Sequence, residues 1–192
     1  MTDKEAVIIS ISPKWCDKIF TFKEKNLEIR KTFPKALELP FTAYVYCTAD
    51  RGRVVEVIHK GDGLYNGYVH DSDTPIFIKI PDAPAHMFGK TQKVIGRITV
   101  DRIVKVSRKS GKALIDGREH TAEDGLYTCL TVREFEKYLG DKEFLYGWHI
   151  AEVEQFREPR ELSEFGLKRP PQSWQYLAAH RFKGASQRTH MC

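Results

Sequence analysis

Long apolar runs are missing from this chain. Its most hydrophobic stretch, residues 6–11, is far too short to cross a bilayer, which needs about 20 apolar residues in a helix. The polar start Met1-Thr2-Asp3-Lys4-Glu5 has no signal-peptide layout, so a cytoplasmic protein without membrane contact is expected. Cysteine is scarce and unpaired in spacing. Cys16, Cys47, Cys129 and Cys192 lie far apart with no C-x-x-C, which argues against structural zinc and redox chemistry and for reduced packing thiols. His59, His70 and His86 lack ligand spacing, so no metal is expected, and no organic cofactor either. There is no G-x-G-x-x-G, no phosphate-loop sequence and no H-E-x-x-H, which leaves dinucleotide, nucleoside-triphosphate and zinc-protease readings without support. Repeats and low-complexity tracts are absent too.

What is present is a globular composition. Of 192 residues, 41% are hydrophobic and 11% aromatic, enough to build a core without disulfides. The 31 basic and 26 acidic residues give a net charge of +5, which permits an anionic partner without demanding one. A single domain over residues 1–180 is expected, with residues 50–93 as a hairpin excursion and residues 181–192 as a basic, flexible tail. The excursion mixes Arg51, Arg53, Lys60, Tyr65 and Tyr68 with Asp62, Asp71 and Asp73, a decorated surface more than a clear nucleic-acid footprint.

Periodicity gives many short strands and few helices. The β-branched run 6–11 reads as a buried strand, and Ser12-Pro13 as a helix start with proline at the first position. Trp15, Ile19 and Phe22 would form that helix's inward stripe. Residues 26–31 alternate as a half-buried strand, and residues 42–48, 54–59, 75–80, 94–100 and 103–107 read as further strands. Thr131-x-x-Glu134 is a capping box for a helix presenting Val132, Phe135 and Leu139, stopped by Gly140. A strand over 145–153, a short helix over 158–165 and a last strand over 173–177 complete the chain. The absence of regular β-α-β alternation predicts an α+β fold, a small mixed β-barrel with two to three short helices.

The strongest chemical signal is Lys25-x-x-Glu28-x-Arg30, where the first helix gives way to the second strand. Pleating puts Glu28 and Arg30 opposite Leu27 and Ile29, so the charged pair lines either solvent, with weak ion pairs, or a cleft. Lys25 joins their face only if the preceding turn swings it round. Tyr146, Trp148 and His149 share a later strand. Tyr146 and Trp148 face one way, as core or as stacking planes for a base, and His149 the other, as a surface residue or an acid. Gln172 could bond a base edge, and Trp174 could pack under the barrel.

Lys25-x-x-Glu28-x-Arg30, placed after a strand and a helix, resembles the signature of the ASCH domain family, whose members have a PUA-like β-barrel. Further stretches resemble the same family in the same order: Tyr44-Val45-Tyr46-Cys47-Thr48, Lys93-Val94-Ile95-Gly96-Arg97-Ile98, the helix over 130–140, Tyr146-Gly147-Trp148-His149-Ile150 and Arg169-Pro170-Pro171-Gln172-Ser173-Trp174. The resemblance spans residues 6–177 and is of the phage and bacterial type.

It implies that RNA, another single-stranded nucleic acid or a modified nucleoside binds in a cleft lined by Lys25, Glu28 and Arg30, to which Tyr146, Trp148 and Gln172 are added here as candidate ligand contacts. Some members are amidohydrolases that deacylate acetylated cytidine, and others are described as ribonucleases. In the amidohydrolase type the lysine activates a threonine three residues on, but that position here is Glu28, which cannot replace a hydroxyl as acyl acceptor. Thr48 could approach from a neighbouring strand. The enzymatic alternative has Glu28 as base, Lys25 as electrostatic stabiliser and His149 as acid. Phe22-Lys23 stands where the family has a glycine, with one residue extra. A protein-interaction module in phage or host regulation is the third reading, with residues 50–93 as its contact surface.

Overall fold

The computed structural model describes residues 4–49, 56–59, 64–69, 72–79, 91–109 and 112–178. The strands are β1 (Lys4–Ile11), β2 (Leu27–Arg30), β3 (Phe41–Cys47), β4 (Glu56–His59), β5 (Leu64–Val69), β6 (Ser72–Lys79), β7 (Lys93–Lys109), β8 (Lys112–Ile115), β9 (Arg118–Glu119), β10 (Leu145–Arg160) and β11 (Trp174–Ala178). Two helices, α1 (Pro13–Cys16) and α2 (Val132–Leu139), accompany them. The order β11-β1-β3-β7-β10-β2 forms one mixed sheet, with β8 and β9 as a side hairpin on β7. Strands β4, β5 and β6 pair only among themselves, as an antiparallel sheet within the predicted excursion.

The α+β character matches the expectation, but among the described residues no ladder closes the barrel. Within them strand β2 pairs only with β10 and β11 only with β1, which leaves a gap between the two ends of the sheet. Side chains bridge it instead. The Nη2 of Arg30 donates to the carbonyl of Ser10 at 2.7 Å, the indole of Trp174 donates to Thr32 Oγ1 at 3.1 Å, and the Ala36 amide donates to the Tyr176 hydroxyl at 3.1 Å.

The apolar run of β1 is buried throughout, and its period of two divides it between two cores. Val7, Ile9 and Ile11 join Phe41, Val45, Ile98 and Trp148 in the main core, whereas Ile8 packs with Tyr46, Val94, Phe165 and Leu177 on the other face. Each fully buried Ile or Val contributes about 1.5–3 kcal/mol. A third cluster sets Leu27 and Ile29 against Val104, Val106, Leu126, Phe135 and Leu145, seating α2 on the sheet. Cys16 and Cys47 pack in the main core, and burial together with the adjacent Cys47 sulfur pushes the Cys16 thiol well above its usual range.

Several elements depart from the sequence expectations for identifiable reasons. Residues 94–100 and 103–107 form one strand, β7, because the pairing with β10 continues past the polar Asp101-Arg102 through bulges near Ile150. Strand β10 extends to Arg160, absorbing the start of the expected helix; Glu158 precedes Pro159, which favours extended backbone there. Only a short 3-10 turn, Leu162–Phe165, remains. The first helix widens after α1 into a π-helical turn, Asp17–Thr21, so Cys16, Ile19 and Phe20 face inward while Phe22 is exposed and Trp15 half-buried. Strands β5, β8 and β9 had no sequence expectation. The capping box is present, with Thr131 Oγ1 accepting from the Glu134 amide at 3.2 Å, but Val132 is 51% exposed. The tail from residue 179 onward and the charged residues Arg51, Arg53, Lys60, Asp62 and Asp71 lie outside the described residues.

Candidate functional site

The π-helical turn and the residue after it decide where Lys25 goes. A π turn holds one residue more than an α turn, and Lys23 then adopts a left-handed backbone, φ 53°, the conformation glycine takes most readily. Lys23 therefore occupies with strain the place where the resemblance expects glycine. Both the Glu24 and Lys25 amides donate to the Lys18 carbonyl, closing the turn. Asn26 then pins the chain to residues 125–127: its side-chain amide donates to the Gly125 carbonyl, and its Oδ1 accepts from the Tyr127 amide, each at 2.7 Å. The turn does swing Lys25 round.

All four residues of β2 are buried, so the solvated alternative for Glu28 and Arg30 does not hold. Leu27 and Ile29 face α2, while Glu28 and Arg30 stand opposite Trp148 and Tyr146 across the β10 ladder and share their face. Lys25, Glu28 and Arg30 are 3%, 5% and 7% exposed. The Glu28 carboxylate lies between the two cations, with Oε2 at 3.3 Å from Lys25 Nζ and Oε1 at 2.9 Å from Arg30 Nη2. Lys25 Nζ also donates to the carbonyls of Leu27 at 2.8 Å and Thr128 at 2.7 Å, so two of its protons go to backbone while its charge pairs with Glu28. Arg30 adds a long 3.4 Å contact to Ser173 Oγ, and its buried Nε–H has no partner among the described residues.

These groups form the floor of a hollow of about 170 Å³, walled by Trp15, Leu130 and Tyr138 and reached past Ser10 and Ser12. Burial pushes the Tyr138 phenol above its ordinary range, against the pull of the nearby Arg30 charge. Burying one ion costs several kcal/mol unless it is paired and bonded, and here two cations share one carboxylate. An excess positive charge remains at the base of the hollow. Ser10 Oγ donates to the Pro171 carbonyl at 2.7 Å, so it is committed to structure.

The other sequence candidates go elsewhere. Trp148 is completely buried, edge-on to Phe41 and Trp174, and donates to the Thr32 carbonyl at 3.3 Å; it is core. His149 sits on the opposite face of β10, with Nδ1 at 2.6 Å from Asp101 Oδ1, and does not line the hollow. Tyr146 lines a neighbouring hollow with Phe33 and Phe144. Gln172 is exposed and lines neither, and Thr48 also lies outside the Lys25 hollow. Sequence reasoning missed Tyr138 and assigned Trp15 to the core. The capping box fixed the phase of α2, so Tyr138, three residues after the buried Phe135, could have been placed toward β2. Among the described residues, no group of three His, Cys, Asp or Glu side chains is placed to hold a metal ion, and no helix is long and apolar enough to cross a membrane.

No protein-family model matches the sequence, and no curated protein matches it. Solved structures do. The crystal structure of ASCH from Zymomonas mobilis is similar over 93% of this chain and 92% of that one, with a TM-score of 0.57 at 16% identity. Two point mutants of the same Zymomonas mobilis protein are similar with TM-scores of 0.54 and 0.55, at 14% and 15% identity.

Proposed function

We propose that this chain, which has the PUA-like ASCH fold, binds RNA or a modified nucleoside by taking one base into the hollow above Lys25, Glu28 and Arg30. The observation that carries the reading is that two cations sharing one carboxylate line the same small hollow as the Trp15 and Tyr138 rings, so polar and stacking groups meet one ligand. Glu28 keeps lone pairs for an exocyclic amine, and the Arg30 guanidinium, which also lines the hollow, is the donor for a ring carbonyl. Those two partners suit a base edge with a donor beside an acceptor, as cytosine has. Trp15 and Tyr138 supply aromatic walls, and stacking on such a ring is worth about 1–3 kcal/mol per base. Lys25 holds Glu28 in place and orders the 125–130 segment.

The volume favours a base over a phosphate chain. A hollow of about 170 Å³ is small beside the usual 300–1,000 Å³ of ligand sites, so the sugar and phosphates would remain outside.

Calorimetric titration with cytidine, N4-acetylcytidine and a short RNA tests the proposal, run on the wild type and on Trp15→Ala and Glu28→Gln, with folding checked by circular dichroism. Binding of at least one probe, weakened about tenfold or more in both folded variants, is the expected result, since each removes a contact of the size given above. Failure of all three probes to bind, or binding indifferent to both substitutions, refutes it. Turnover of N4-acetylcytidine by the wild type would convert the reading into the hydrolase alternative.

A further inference from the structure

Beyond the end of β2 the chain runs on past the charged cleft. Lys31, Thr32 and Phe33 continue from Arg30 into a second hollow of about 290 Å³, which Lys35, Lys142, Glu143, Phe144 and Tyr146 complete. Its lining is of two kinds. Phe33, Phe144 and Tyr146 form an aromatic cluster, with Tyr146 at 4.8 Å from Phe33 and 5.4 Å from Phe144 between ring centroids. Around them stand Lys31, Lys35 and Lys142, all exposed and none in a salt bridge among the described residues, against a single acid, Glu143.

The two hollows share no lining residue but are neighbours, related by two contacts. Tyr146 is the ladder partner of Arg30, which puts their side chains on one face with Cβ atoms about 4.5–5.5 Å apart. Lys31 reaches back over Tyr138, 5.2 Å from its ring centroid, and Tyr138 is a wall of the first hollow. A ligand leaving the first hollow along this edge meets flexible ammonium groups and ring surfaces together, the pairing that tracks a phosphodiester while stacking its bases.

We propose that the second hollow is a subsite for the neighbouring nucleotide of a single-stranded nucleic acid: Lys31, Lys35 and Lys142 contact its phosphates, and the Phe33 and Tyr146 rings stack its base. The inference rests on the reading of the first hollow as a base site, and it makes the ligand an oligonucleotide and not a free nucleoside.

Fluorescence anisotropy with a labelled pentacytidylate RNA, competed by cytidine and by the deoxy pentamer, tests it. The variant is Lys35→Ala with Lys142→Ala, both exposed side chains outside the first hollow. The pentamer is expected to bind at least about tenfold more tightly than cytidine, since it adds a stacked base and phosphate contacts. In the double variant the slope of log K against log salt should fall by about 1.4, because each lost phosphate contact on a single strand accounts for about 0.7. Cytidine binding should be unchanged by it. A pentamer no tighter than cytidine, or a double variant with unaltered affinity and salt slope, overturns the subsite while leaving the first hollow intact. If neither cytidine nor pentamer binds the wild type, both readings fall. Equal binding of the deoxy pentamer supports a subsite blind to the 2′-hydroxyl, and preference for the ribose form supports one that reads it.

Discussion

The guanidinium of Arg30 donates to the carbonyl of Ser10 at 2.7 Å, across the gap where the sheet does not close, while the same nitrogen pairs with Glu28 at 2.9 Å. One side chain thus does two jobs. It ties the free edge of β2 to β1, and it holds the carboxylate that gives the hollow its polarity.

Removing the carboxylate should cost more than removing the lysine. Glu28→Gln leaves two buried cations uncompensated, a loss of about 3–5 kcal/mol. Lys25→Met keeps the Glu28–Arg30 pair and leaves the Leu27 and Thr128 carbonyls without their donor, a loss of about 1–3 kcal/mol. Urea unfolding midpoints of the two variants should fall in that order.

Two glycines should respond unequally to alanine. A methyl on Gly96 would run into the backbone carbonyl of Glu154 and the ring of Phe20, and a backbone atom in a paired strand cannot step aside. A methyl on Gly147 would meet only side-chain atoms, of Leu27 and Val104 at 2.9 Å, and no backbone. Gly96→Ala should lower the melting temperature markedly more than Gly147→Ala, whose overpacking cost should be about 1–3 kcal/mol.

Acid should loosen the attachment of α2. Lys14, whose ammonium lies 2.6 Å from Glu134, and the Thr131 amide hold the Glu134 carboxyl down at about 2, from an ordinary 4.5. A lowered folded-state pKa contributes stability that is complete above the ordinary value and disappears as pH falls through the lower one. The exposed pair itself is worth no more than about 1 kcal/mol. Melting temperatures of the wild type and Glu134→Gln should differ at pH 7 and converge between pH 4.5 and 2.

The thiols should separate by reactivity. Cys16 and Cys47 are buried in the core and the Cys16 thiol is held protonated, whereas Cys129 is half-buried. With Cys192 replaced by serine, Ellman's reagent should titrate one thiol in the native protein and two more only after denaturation.

Much was legible because it is local. The buried run of β1, the alternation of β2, the proline-led first helix and the Thr131–Glu134 capping box depend on neighbours in sequence, and period and turn chemistry report on those. Alternation put Glu28 and Arg30 on one face, whereas the period alone would send Lys25 away from them, and it was the family resemblance that grouped the three. Their environment was not legible. Alternation told which residues share a face of β2 but not that both faces are covered, one by α2 and the other by the main core.

The sequence by itself determined that the chain builds an α+β body of short strands and that a lysine, a glutamate and an arginine stand on one segment early in it. Tertiary structure alone decided that Lys25 turns inward, through the π turn and the left-handed Lys23; that carbonyls 103 residues on at Thr128 and 20 residues back at Ser10 complete the cluster; and that Trp148 packs in the core beside Glu28 while His149 faces the other way. The reason is physical. A buried charge is tolerable only where dipoles from distant parts of the chain converge on it, and that convergence is a property of the packed sheet, which no local pattern encodes.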